Sequence, residues 1–141
     1  MRVPRSLYFA MFSFTASIGV IFGLIASLQD NLGFANSALG LIAGASFFAS
    51  FLGQLFLAPL ADRGRTKPLL LFSIVLAALG TLWFALASSV WELTTARALT
   101  GLGFGAFAPA ARAIVSNIDA SRAGERLGRL AAIETSGFVT G

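Results

Sequence analysis

The chain has 141 residues, of which 57% are hydrophobic and 11% are charged, and its formal net charge is +4. A soluble domain needs more polar surface than this, so the composition favours an integral membrane protein. With no Cys and no His, disulfides, zinc sites and histidine bases are excluded, and the short clusters of basic residues argue against nucleic acid as a partner.

Five apolar segments follow one another, and each is predicted to form a helix through or into a bilayer. Within residues 1–141 they cover about 7–28, 38–60, 68–88, 91–116 and 127–141. Each of the first four has about 20 residues or more, enough at about 1.5 Å per residue to cross a hydrocarbon core of about 30 Å. A cleaved signal peptide is the alternative for the first segment, which is longer than a typical signal-peptide core. The predicted fold class is an all-α, multi-pass membrane helix bundle.

Positive charges lie in alternate gaps between these segments. Cations precede the first segment, occupy the loop after the second and cluster around the end of the fourth, whereas the other two gaps contain none. The nine residues on this side are Arg2, Arg5, Arg63, Arg65, Lys67, Arg112, Arg122, Arg126 and Arg129. Because cytoplasmic loops carry the excess of Lys and Arg, the pattern predicts a cytoplasmic N-terminus in a plasma or inner membrane.

Small residues recur at a spacing of four in several predicted helices. The sets are Gly19, Gly23 and Ser27, then Ala45, Ala49 and Gly53, and finally Gly137 and Gly141. This spacing puts each set on one helix face, where two backbones can approach closely. The pattern predicts a tight bundle of several helices but does not identify it.

The fourth segment carries a charge inside its apolar run. Arg97 lies roughly 9 Å beyond the outer end and shares one helix face with Gly101, Gly105 and Arg112. A buried guanidinium keeps its proton and needs an acceptor, a backbone carbonyl or water. Arg97 therefore either fixes packing through an interhelical hydrogen bond or serves a cavity or coupling role, and the second is favoured. Arg112, near the cytoplasmic end, is expected to anchor the helix at the membrane surface.

Glu134 is a second charge within an apolar segment, roughly 10 Å into the fifth one. A carboxyl group in a poorly hydrated site can bind and release a proton near neutral pH. Glu134 could instead face a water-filled vestibule or pair with an arginine, and the sequence leaves these alternatives open.

A short charged loop joins the second and third segments, so these helices are expected to be antiparallel neighbours. Its sequence is Ala58-Pro-Leu-Ala-Asp62-Arg63-Gly64-Arg65-Thr66-Lys67-Pro68. Pro68 suits a helix start, and Asp62 can cap the third helix or pair with Arg63 or Arg65. Taken alone, the loop is a charged turn that fixes the topology.

Together, the loop and the fourth segment resemble motifs of the major facilitator superfamily of secondary transporters. The loop is similar to Gly-x-Leu-Ala-Asp-Arg-x-Gly-Arg-Lys, and the matching residues are Leu60, Ala61, Asp62, Arg63 and Lys67. Ala58 replaces the first Gly, and Gly64 and Arg65 come one position early. The fourth segment is similar to Arg-x-x-x-Gly-x-Gly, and its matching residues are Arg97, Gly101, Gly103 and Gly105.

The resemblance implies a fold of twelve helices in two six-helix halves, of which this chain would supply the first four to five. It also implies a central substrate cavity and alternating access by rocking of the halves. The residues that would gate the cytoplasmic side are Asp62, Arg63, Arg65 and Lys67. By the same resemblance, Arg97 would take part in proton coupling. Glu134 is a second candidate because of its position inside an apolar segment. Gly137 and Gly141 look like the start of a helix-packing glycine motif of drug–proton antiporters.

Three functions are compatible with these patterns. The leading one is proton-coupled efflux of a small hydrophobic or amphipathic solute, because the cavity side expected from Phe9, Phe12, Phe14 and Phe22 is aromatic. The alternatives are a proton-coupled metabolite or sugar symporter and a non-transporting membrane scaffold. Neither an enzyme nor a cofactor is expected, because no catalytic or metal-binding constellation occurs in the sequence.

The expected partners are a small-molecule substrate, protons, the lipid bilayer and the C-terminal half of the same protein. About four and a half spans fall short of the twelve that the resemblance implies, so the chain is expected to be an N-terminal fragment. A half-helix in lipid would leave backbone carbonyls unsatisfied, each costing several kcal/mol. We therefore expect no transport activity from this chain alone.

Overall fold

The structure, a computed structural model, describes residues 3–118 and 120–141. Within these ranges the chain is all-α, without strands, and a short 3-10 turn, Ala120–Arg122, leads into the last helix. The helices are α1 (Arg5–Leu32), α2 (Asn36–Asp62), α3 (Thr66–Leu86), α4 (Val90–Ile118) and α5 (Ala123–Thr140). The predicted all-α bundle is confirmed.

Helices α1 to α4 are long and apolar enough to cross a membrane, by length and composition. Most of these helices begin before and end after the expected apolar segments. In α1, for example, the polar residues Gln29 and Asp30 continue the helix until Gly33 ends it. Helix α5 is not among the helices that meet this description. It starts at Ala123 rather than near residue 127, and its 18 residues include Glu125, Arg126, Arg129 and Glu134. The described part of the chain is therefore a multi-pass membrane bundle with one more polar helix.

Glycines in the left-handed region end α1 and α2. Gly33 has φ 65°, and its N–H donates to the Gln29 carbonyl at 2.9 Å. Gly64 has φ 78°, its N–H donates to Ala61 at 3.1 Å, and the next N–H donates to Leu60 at 3.1 Å. This pair of bonds is a Schellman motif, which satisfies the last carbonyls of α2 and turns the chain directly into α3.

The start of α4 is fixed by side chains rather than by a glycine. The N–H of Glu92 donates to Ser89 Oγ at 3.3 Å, and Glu92 Oε2 accepts from the N–H groups of Ser88 and Ser89 at 3.0 and 3.1 Å. This reciprocal arrangement is a capping box, and the carboxylate also suits the positive end of the helix dipole. It fixes the point at which α4 enters the bundle.

Helix α4 is the centre of the bundle and packs most extensively against α2 and α3. A Cβ atom on Gly101 would collide with the carbonyl oxygen of Ser46 on α2, and one on Gly105 with that of Ser50. On the opposite face, a Cβ on Gly103 would lie 2.8 Å from the carbonyl oxygen of Ser73 on α3. The glycines of α4 therefore bring three backbones into contact, as expected where lipid supplies no hydrophobic force between helices.

The small-residue faces predicted on α1 and α2 were partly wrong. On α2 the buried polar positions against α4 are Ser46 and Ser50, one residue later than Ala45 and Ala49, although Gly53 does face α4. On α1, open space surrounds Gly23. The sequence spacing gives the period of a helix face but not the neighbour toward which that face turns.

Helix α1 packs against α5 through a second set of small residues. A Cβ on Gly19 would collide with the backbone at Phe138, and one on Gly141 with the backbone at Ala16. A Cβ on Gly137 would lie 2.6 Å from the carbonyl oxygen of Phe12. Gly137 and Gly141 therefore lie at a helix interface, where small residues let two backbones approach closely.

Replacing Gly105 with Ala should destabilise the fold by about 1–3 kcal/mol, because the new methyl group would meet the α2 backbone rather than a movable side chain. Gly44→Ala on α2 is the matched control, since nothing lies within 4 Å of its Cβ position. Thermal unfolding of both purified variants in detergent, followed by tryptophan fluorescence, measures the difference. Equal melting temperatures for the two variants would contradict the proposed backbone contact.

Candidate functional site

A cleft of about 580 Å³ lies between α1, α2, α4 and α5. Five phenylalanines dominate its walls: Phe22, Phe47, Phe51, Phe104 and Phe138. The polar residues among them are Thr15, Ser46, Ser50, Gln54, Arg97, Glu134 and Thr135. The volume is within the range of pockets that hold small molecules, and the mixture of aromatic walls with a few polar groups is typical of such pockets.

Arg97 is the most unusual residue of this cleft. Its side chain is completely buried, with 0% exposure, and among the described residues neither Nε nor either Nη has a hydrogen-bond partner. Its Cζ lies 5.2 Å from the centre of the Phe22 ring, a distance at which the face of the ring attracts a cation. The interhelical hydrogen bond considered as an alternative for Arg97 is not found in the described part of the chain. The described contact of this charge is instead an aromatic one.

Phe22 also connects the helices around the cleft. Its ring centre lies 5.8 Å from that of Phe47 on α2 and 5.9 Å from that of Phe138 on α5. Ring pairs at such distances contribute about 0.5–1.5 kcal/mol each beyond the area they bury. Phe22 therefore links α1, α2 and α5 and at the same time covers the guanidinium of Arg97 on α4.

Glu134 lines the same cleft but faces a different arginine. Its Oε2 lies 3.4 Å from Nη2 of Arg112, and the two side chains are 25% and 49% exposed. Of the alternatives left open by the sequence, pairing with an arginine is the one found. Arg112 is thus an ion-pair partner as well as a cation near the helix end. At this length and exposure the pair is weak and easily separated.

The charged loop lies apart from the cleft. Asp62, Arg63, Arg65 and Lys67 are exposed and line no part of it. Of the two roles considered for Asp62, capping of α3 is not found, because α3 has no side-chain cap among the described residues and the turn is closed by backbone bonds. Nor does Asp62 form an ion pair with Arg63 or Arg65 in the part of the chain that the structure describes. Of the glycines on α4, Gly101 borders the cleft, whereas Gly103 and Gly105 do not.

The aromatic side of the cleft was predicted only in part. Of the four phenylalanines named from α1, Phe22 lines it. Phe14 is buried against Phe104 and Phe107, with ring centres 5.6 and 5.2 Å away, and Phe9 is 73% exposed on another face. The remaining aromatic residues come from α2, α4 and α5, and the spacing of four between Phe47 and Phe51 is the signal that could have indicated a shared face.

Sequence comparison identifies proteins to which this chain is similar. The sequence model of the Major Facilitator Superfamily matches residues 7–141. The quinolone resistance protein NorA of Staphylococcus aureus strain Mu50 is 26% identical over 136 residues, which are 96% of this chain and 35% of NorA. The NorA of strain MRSA252 is 25% identical over the same shares. A gentisate transporter of Corynebacterium glutamicum is 27% identical over 100 residues, which are 70% of this chain and 22% of that protein.

The chain therefore spans about a third or less of the length of these curated relatives. The family match extends over nearly all of the chain and includes the charged loop and the glycine-rich part of α4. It confirms the resemblance seen in these two stretches and fits the four apolar helices. This chain belongs to the Major Facilitator Superfamily of transport proteins.

Proposed function

We propose that this chain forms the N-terminal part of a secondary active transporter that exports a small hydrophobic or amphipathic solute in exchange for protons. Alternating access would expose the cleft to each side of the membrane in turn. The observation that carries the proposal is the complete burial of Arg97 in the wall of an aromatic cleft. A charge held within an apolar helix is costly and is usually retained for function.

The walls of the cleft suit an aromatic or amphipathic solute. Phe22, Phe47 and Phe51 offer ring faces and edges, while Gln54 and Thr135 supply a few polar groups. The quinolone resistance protein and the gentisate transporter are named for aromatic compounds. The second name also favours metabolite transport as an alternative to drug efflux for this chain. In both cases the solute would occupy the same cleft.

Two charged residues are candidates for coupling solute movement to protons. A proton on Glu134 would remove the charge that attracts Arg112 and would loosen the contact between α4 and α5 at that point. Arg97 remains charged under all ordinary conditions and would act by its field on groups that enter the cleft. Glu134 would thus carry the proton, and the positive charge of Arg97 would favour negatively charged groups in the cleft or on the bound solute.

The charged loop is proposed as the gate on the cytoplasmic side. Asp62, Arg63, Arg65 and Lys67 are exposed at the turn between α2 and α3, and the Schellman motif at Gly64 holds this turn tightly. Rigid charges at the end of a helix pair are suited to form and break ion pairs with a second half-bundle. The proposal places the N-terminus in the cytoplasm of a plasma or inner membrane, with the partner groups on the C-terminal half of the protein.

Replacing Arg97 with Ala in the complete protein should lower proton-driven transport by about tenfold or more, a factor that corresponds to a typical coupling free energy between two sites. The variant should still insert into the membrane. Thr95→Ala is the matched control, because Thr95 is exposed on the same helix and lies outside the cleft. Solute uptake into inverted membrane vesicles with an acidified lumen measures coupling, because inversion turns export into uptake, and an immunoblot of the membranes measures insertion. Unchanged coupling in Arg97→Ala, or a loss of insertion alone, would favour the scaffold function instead.

Replacing Phe51 with Ala should weaken solute binding by about three- to tenfold, which corresponds to the loss of one aromatic contact. Phe48→Ala is the control, because the two residues are similarly exposed, at 60% and 65%, but Phe48 does not line the cleft. The concentration of an aromatic solute that gives half-maximal transport by the complete protein is the quantity to compare. Equal effects of the two substitutions would contradict the assignment of the cleft.

A further inference from the structure

A second cavity, of about 560 Å³, lies where α1 and α5 begin. It is separate from the aromatic cleft and shares no lining residue with it. Its charged residues are Arg5, Arg122, Glu125, Arg126 and Arg129. Four guanidinium groups from two distant parts of the sequence thus border one cavity that contains a single carboxylate, which leaves it strongly electropositive.

Most of these charges are available to an external anion. The side chains of Arg5, Arg122 and Arg129 are exposed and make no hydrogen bond or ion pair with the other residues that the structure describes, whereas Arg126 has a partner. Like charges repel one another at short range, so holding them around one cavity favours the binding of a compensating anion. Phosphate oxygens suit this role, because guanidinium groups bind them through two parallel hydrogen bonds.

The apolar part of the same cavity indicates where that anion comes from. Val3, Tyr8 and Ile133 border it beside the arginines. Arg5 is the first residue of α1, whose apolar span begins there, so the cavity lies at the level where hydrocarbon gives way to water. Tyrosine is enriched at this level of a membrane, and basic pockets between helices are suited to lipid head groups.

We propose that this cavity binds the phosphate of an anionic phospholipid from the adjacent leaflet, with the arginines around the phosphate and the lipid chain along the apolar wall. The site does not depend on the transported solute or on proton coupling. It also differs from the general attraction between basic loops and acidic membranes, because the cations of the α2–α3 loop do not border this cavity. Those cations therefore provide an internal control.

The test uses the complete protein in phosphatidylcholine nanodiscs that contain a small fraction of phosphatidylglycerol. Native mass spectrometry counts the phosphatidylglycerol molecules that remain bound to the protein. The double substitution Arg122→Gln and Arg129→Gln should weaken retention by about tenfold or more, the scale of one lost charge-assisted hydrogen bond. The control, Arg63→Gln with Arg65→Gln, removes the same charge from the other loop. It should change retention by less than about threefold, since screened surface charges contribute little to a specific site.

A variant that binds more lipid distinguishes a specific site from a loss of binding caused by misfolding. Glu125→Gln removes the carboxylate of the cavity and should increase retention of phosphatidylglycerol, which loss of structure would not do. Equal losses in the two double variants would overturn the proposal and leave general surface attraction. Binding of inorganic phosphate in pure phosphatidylcholine discs as tightly as phosphatidylglycerol would also overturn it, because the site would then recognise a free anion rather than a lipid.

Discussion

The close approach of α4 to α2 and α3 is the constraint on which the rest of this structure depends. Lipid gives helices no hydrophobic reason to associate, so contact between backbones has to supply the attraction. Gly101 and Gly105 admit the carbonyls of α2 on one side, and Gly103 admits the backbone of α3 on the other. This contact holds α4 in the centre and thereby places Arg97 away from lipid, in the wall of the cleft.

A buried guanidinium would be unfavourable in a helix that faces lipid, and the surroundings of Arg97 moderate this cost. The Phe22 ring lies over it, and Arg97 borders a cleft of about 580 Å³. Four other arginines, Arg5, Arg122, Arg126 and Arg129, border the second cavity, where α1 and α5 begin. Arginine thus occurs both in the interior of the bundle and at one end of it.

The four membrane-spanning helices and the charged residues inside apolar segments could be predicted from the sequence. Apolar length identified α1 to α4, and the spacing of Arg97 with the glycines of α4 singled out one face of that helix. The central position of α4 was not predicted and follows from its contacts with α2 and α3. The face of α2 that contacts α4 could not be predicted, because the period of small residues does not indicate which neighbour a helix face meets. Ser46 and Ser50 were missed for that reason. The pairing of Glu134 with Arg112 stayed open, since it joins residues 22 positions apart through tertiary packing.

The most direct test of the cleft as a solute path is the labelling of single cysteines, because this chain has none of its own. Gln54 lines the cleft, and its neighbour Leu55 is similarly exposed but points elsewhere on α2. In a complete protein without other cysteines, Gln54→Cys should react with a membrane-impermeant maleimide, and a transported solute should slow the reaction, while Leu55→Cys should stay unlabelled. Labelling of both positions without protection by solute would contradict the account.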